Sequence, residues 1–150
     1  MNIASPTNVK NNLNNEALKI AELLNNFFYI SSNENDLTMN FKFLKLLNKQ
    51  LSTDFLLEHI IKNIDLILTK YTVFKFHINV KSISILDVDK NKEFIKKASI
   101  VLKEKYPYRL DTCYIYEAPS MFTNIFKLIF AFVDKETQKK IKMVEPSPSP

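Results

Sequence analysis

Among its 150 residues the chain has no glycine and no tryptophan, one cysteine and two histidines. Each scarcity excludes something. Loops that cradle phosphates and turns that bind dinucleotides need glycine, because a Cβ holds the backbone away from the ligand. Neither is expected here. A lone cysteine, Cys113, cannot form a disulfide within the chain, and it points to a reducing compartment. It sits in an alternating apolar run and reads as a small core residue rather than a nucleophile. His59 and His77, with one cysteine, do not make up a zinc set. Both are taken as packing or surface residues, and no metal or cofactor is expected.

Arginine is almost absent as well. Arg109 stands alone, although the formal charge is +5. Base readout and bidentate phosphate clamps favour arginine, so no nucleic-acid partner is expected. A lysine-based surplus suits loose attraction to an anionic membrane surface. The N-terminus is polar and asparagine-rich, without the apolar core of a secretory leader. The greasiest run, Met121 to Val133, falls short of the ~20 residues of a spanning helix and contains Lys127. These features predict a cytoplasmic protein that works peripherally to membranes.

What is present suits one globular core: 46% hydrophobic and 25% charged residues. Residues 1–14 are expected to be disordered, residues 15–144 to form a single domain, and residues 145–150 (EPSPSP) to form an extended tail. Between them the periodicity alternates. Ala17, Ile20, Ala21, Leu24 and Phe28 predict a helix from Glu16, capped by Asn15, to Ile30. SSNEND reads as a turn. LTMNFKF and the residues after it predict a short strand followed by a short helix. Ser52 is expected to cap a helix with Leu57, Ile60, Ile61, Ile64 and Leu68 on one stripe. Phe74, Phe76, Ile78 and Val80 alternate with Lys75, His77 and Asn79, which predicts a half-buried strand. Asp87 or Asp89 is expected to cap a helix reaching Lys105, with Phe94, Ala98, Val101 and Leu102 as its stripe. Pro107 ends it. TCYIYEA reads as a strand, Met121 to Val133 as an apolar helix, the residues after Asp134 as a short polar helix, and IKMV as a last strand. Strands separated by helices predict an α/β fold, with a mixed, largely parallel sheet flanked by helices.

The helix at Met121 to Val133 is apolar on nearly every side. Such a helix is buried, meets a partner, or touches lipid. The residues around it carry a resemblance. The chain has Tyr106-Pro107, Arg109-Leu110, Ala118-Pro119, Phe122, Phe126, Asp134, Thr137, Lys140 and Ile141. At this spacing they resemble the central signature of the CRAL-TRIO lipid-binding domain family: Tyr-Pro-x-Arg-Leu, a strand ending in Ala-Pro, an aromatic helix, then Asp-x-x-Thr-x-x-Lys-Ile. The resemblance covers Phe74 to Val144.

The resemblance implies a non-enzymatic module that binds one phospholipid or similar lipid. It implies a gate helix over an apolar cavity, with Phe122, Ile125, Phe126, Ile129 and Val133 as its apolar stripe. It also implies contacts from Thr137 and Lys140 to a phosphorylated head group, as in relatives that bind phosphatidylinositol. The implied partner is a lipid or an anionic membrane surface, and the implied role is lipid transfer or membrane sensing. The chain also departs from the family. It is short, and Phe74-Lys75-Phe76 replace the small hydroxyl residues of some relatives. Those departures imply a reduced fold and a pocket that is small or lost. If it is lost, the 121–133 helix becomes a contact for a protein partner or a second copy, and the chain a scaffold or assembly component, for example of a virus particle.

Overall fold

The computed structural model describes residues 6–120 and 122–145, with side chains from residue 14 onward. Met121, residues 1–5 and all of the expected tail after Glu145 lie outside the described residues. Five strands form one sheet in chain order: β1 (Phe28–Ile30), β2 (Asp36–Asn40), β3 (Phe74–Asn79), β4 (Leu110–Tyr116) and β5 (Ile141–Met143). β1 and β2 are antiparallel, and β2 to β5 are parallel throughout. The described helices are α1 (Pro6–Phe27), α2 (Phe41–Leu47), α3 (Thr53–Leu68), α4 (Ile85–Lys90), α5 (Lys92–Lys105), α6 (Phe122–Phe130) and α7 (Lys135–Lys139). This is the expected mixed, largely parallel α/β sheet.

Three boundaries before β4 differ from expectation. Helix α1 begins at Pro6, inside the segment expected to be disordered and well before the expected cap at Asn15. Proline suits the first helical position, where its missing N–H would have had no partner. At the other end α1 stops at Phe27, and Phe28–Ile30 become β1. Helical spacing at Ile20, Leu24 and Phe28 hid this strand. Its aromatic and β-branched residues favour the extended form once β2 is there to pair with. SSNEND closes the hairpin, with Ser31 N–H donating to the Asp36 carbonyl at 2.8 Å. The third difference is that the helix expected up to Lys105 is two helices. Ser84 rather than an aspartate caps α4; Asp87 is its capping-box partner, and each side chain accepts from the other's backbone N–H. Asn91 then separates α4 from α5.

Other local signals act as the residues suggest. Ser52 caps α3 by accepting from Phe55 N–H at 3.1 Å. In the sheet, Leu37, Phe76, Cys113 and Ile141 lie in register, and so do Met39, Ile78, Ile115 and Met143. All eight belong to the inner face. Thr38, His77, Tyr114 and Lys142 alternate to the other side. There the His77 ring stacks on Tyr114 at 5.1 Å and on Tyr116 at 5.7 Å, and it shares a 2.7 Å hydrogen bond with the Tyr116 hydroxyl. A bulge between Phe74 and Lys75 pairings skips Asp111. It lets both Leu110 and Cys113 face inward on one strand.

The Tyr-Pro-x-Arg-Leu motif anchors the entry to β4. Tyr106 is buried, and its hydroxyl donates to the Asp65 carboxylate at 2.6 Å. Arg109 donates to the Thr72 carbonyl at 2.9 Å, which ties the start of β4 to the loop before β3. Tyr108, between them, is 87% exposed and left-handed at φ 64°. Ser82 and Glu117 are left-handed too. In a chain without glycine these turns fall to side chains that clash there.

Relieving the left-handed clash is worth ~1–2 kcal/mol, offset by ~0.5–1 kcal/mol of extra glycine chain entropy. Tyr108→Gly, which sacrifices little buried surface, is therefore expected to stabilise the fold by roughly 0.5–1 kcal/mol. Its urea midpoint should rise while the m-value stays fixed.

Candidate functional site

The inner face of the sheet and the helices above it do not fill the space between them. Phe76, Ile78, Cys113 and Ile115 form a floor, and Phe94, Ala98 and Leu102 of α5 form one wall. Phe122, Phe126 and Ile129 of α6 lie across from them, with Val133 just beyond the helix. Together with Leu57 and Ile60 of α3 they bound a cavity of about 160 Å³. Among the described residues no charged side chain lines it, and Ser99 and Thr137 are the lining residues that carry a hydroxyl.

Helix α6 is shorter than expected. It ends at Phe130, and Ala131 to Val133 form turns in which Phe132 N–H and Val133 N–H return to the carbonyls of Ile129 and Phe130. The cause is Asp134. Its extended backbone stops the helix, and its carboxylate caps α7 by accepting from Thr137 N–H. The Gln138 amide then donates to the freed carbonyls of Phe130 and Val133, at 3.1 and 2.7 Å. On α6 the rings of Phe122, Phe126 and Phe130 follow one another at 5.2 and 4.1 Å.

The five stripe residues do not all take one position. Phe122, Phe126, Ile129 and Val133 line the cavity, whereas Ile125 is buried in the core and does not. Thr123, Asn124, Lys127 and Leu128 are exposed. The helix thus has an outer face after all, although Leu128 makes it partly apolar. Beside it lies α4, which it contacts, with Ile85 and Leu86 also exposed. Thr137 lines the cavity, and its hydroxyl donates to Asp134 at 2.6 Å. Lys140 does not line it; its N–H closes α7 on the Thr137 carbonyl, and its own carbonyl accepts from Cys113 N–H.

The model of the CRAL/TRIO domain matches residues 35–149, most of the chain. The chain belongs to this family. The match starts just before β2, well upstream of the Phe74 where the signature becomes legible. The chain is also 32% identical over 66 residues to the Sec14 cytosolic factor of Schizosaccharomyces pombe, covering 44% of this chain and 23% of that one. The crystal structure of Sfh5 superposes with a TM-score of 0.68 at 20% identity, over 81% of this chain and 48% of the other. The chain thus spans under half the length of either protein.

The CRAL/TRIO signature residues divide into two groups by position. Tyr106 and Arg109 hold the scaffold, while Phe122, Phe126 and Thr137 face the cavity. Residues outside the signature contribute equally to the wall. The α5 stripe of Phe94, Ala98, Val101 and Leu102 was readable as an apolar face, but nothing in its spacing says that it fronts a space rather than a core. Cys113 was read as core and is also cavity floor. Burial pushes its thiol up from 9.0 to about 12, so it stays protonated and weakly nucleophilic.

That shift has a sign. The unfolded chain releases the thiol proton near pH 9, and the folded chain holds it. The contribution of this thiol is complete below pH 9 and falls as pH rises towards 12, by ~1.4 kcal/mol per unit while this group dominates. Tyr106, raised by burial and by the Asp65 carboxylate, adds to the fall above pH 10. Urea midpoints measured from pH 8 to 11 should decline from pH 9 in the native chain. In Cys113→Ala the decline between pH 9 and 10 should be missing.

Proposed function

We propose that this CRAL/TRIO chain is a non-enzymatic lipid-binding module, holding one lipid between the inner sheet face and α6. The observation that carries the reading is the cavity itself, an apolar space floored by four strands and fronted by the helix of the family signature. Core side chains normally fill such space at crystal-like density. At about 160 Å³ it lies below the ~300–1,000 Å³ of typical ligand pockets, so a lipid enters by displacing α6. The helix is suited to that movement. It is nine residues long and ends in turns beyond Phe130, and the residues it turns to the cavity are apolar.

The outer surface supports a membrane encounter. Ile85, Leu86 and Leu128 are exposed on α4 and α6 beside the exposed Lys127. Apolar side chains with a cation among them suit the interface of an anionic bilayer. The same apolar residues favour a second reading, a scaffold in which α4 and α6 meet a protein partner or another copy.

Native mass spectrometry of the purified chain, followed by organic extraction, separates the two. The expected result is a stoichiometric lipid on a monomer. A lipid-free dimer at every concentration would overturn the module reading in favour of the scaffold. A cavity-filling change adds a second check. Ala98→Leu is expected to cut lipid retention by at least roughly tenfold, ~1.4 kcal/mol of affinity. Its effect on stability should stay under about 1.5 kcal/mol, since the added methyls enter empty space.

A further inference from the structure

We infer that the open edge of β5 is a docking site for an extended, acidic segment of another protein, which joins the sheet as a further strand. The sheet has β1 at one edge and β5 at the other, and the chain treats them differently. At β1 the His59 side chain of α3 donates to the Phe28 carbonyl at 2.9 Å, so a helix covers that edge. At β5 the Lys140 carbonyl and the Val144 N–H turn to β4, where they meet Cys113 N–H and the Ile115 carbonyl at 2.9 Å. Lys142, opposite Tyr114, lies in step with them. Alternate residues of a strand turn their backbone groups to opposite edges, so the N–H and C=O groups of Ile141 and Met143 face outwards. Among the described residues none hydrogen-bonds to them. Such a row of donors and acceptors templates another strand. Access is open, since Met143 and Val144 are both exposed.

Charge chooses the occupant. Lys139, Lys140 and Lys142 crowd this edge. Lys139 pairs with Glu136 at 3.3 Å, whereas Lys140 and Lys142 form no salt bridge among the described residues. The acidic Glu145 lies past the end of the strand. A second copy laid antiparallel about Lys142 would set that lysine opposite itself, and like charges directly opposite destabilise a sheet. An acidic strand gains from the same lysines. Side-chain direction sets its pattern. Lys142 lies on the outer face, and Ile141 and Met143 lie on the inner one. A partner strand therefore needs acidic residues at every second position beside Lys142, with apolar residues between them to cover Met143. The site is the backbone of β5, so it stands whether or not the cavity holds a lipid.

The test is fluorescence anisotropy of the purified chain with a short fluorescein-labelled peptide of alternating glutamate and valine. The peptide is expected to bind. Replacing its glutamates by lysines is expected to weaken binding at least roughly tenfold. Methylating its backbone nitrogens keeps every side chain and removes the ladder donors, and binding should be lost. Met143→Pro removes an outward N–H and leaves the pairing of β5 with β4 intact, and it is expected to weaken binding at least roughly tenfold. Absence of binding by the acidic peptide would overturn the proposal. Equal binding by the methylated peptide would do the same, since charge alone would then hold it. That comparison needs no variant, so it decides even if Met143→Pro fails to fold. A native dimer that Met143→Pro dissociates would also overturn it, giving the edge to a second copy.

Discussion

The structure depends on the direction in which its chain winds. Strands β2 to β5 run parallel and adjacent in chain order, so each crossover steps the same way. Right-handed crossovers that step one way put their helices on one side of the sheet. Residues of α3, α5, α6 and α7 accordingly meet over the same inner face. One face therefore collects the apolar side chains, while the other carries Thr38, His77, Tyr114 and Lys142. The cavity is a by-product of this layering. It lies where α5 and α6, helices of successive crossovers, do not quite close over β3 and β4.

Much of this was legible because the code is local. Period-two alternation in Phe74 to Val80 marked a half-buried strand, and Ser52 marked a helix start, each from a few neighbouring residues. Strand β1 was not legible. Its three residues continue the helical spacing of α1, and only pairing with β2 makes them a strand. The cap of α4 was misplaced for a similar reason. Asp87 and Ser84 act together, and spacing alone does not say which of the two is the cap.

The candidate site was legible in outline and not in detail. The signature identified α6 as the special helix, and four of its five stripe residues face the space. Ile125 does not, because at 3.6 residues per turn it falls to the side of the stripe, towards the core. Lys140 and Thr137 lie one turn apart in sequence terms, yet one is off the lining and the other is held by Asp134. Such commitments depend on which neighbour accepts each proton. That information belongs to the folded geometry, not to the motif.

The parallel arrangement also governs how the chain reaches its fold. Among the described strands, only β1 and β2 can zip together across a short turn. Every other strand pair must wait for an intervening stretch of helix to be spanned, from Asn40 to Phe74, Asn79 to Leu110 and Tyr116 to Ile141. Closing long segments before contacts reward it slows folding. The helices between the strands shorten those segments as they form, so α3 and α5 are natural early elements. The central pair, β3 with β4, then sets the register. Strand β5 joins late, after α6 and α7, so the element that fronts the cavity is among the last to be fastened down.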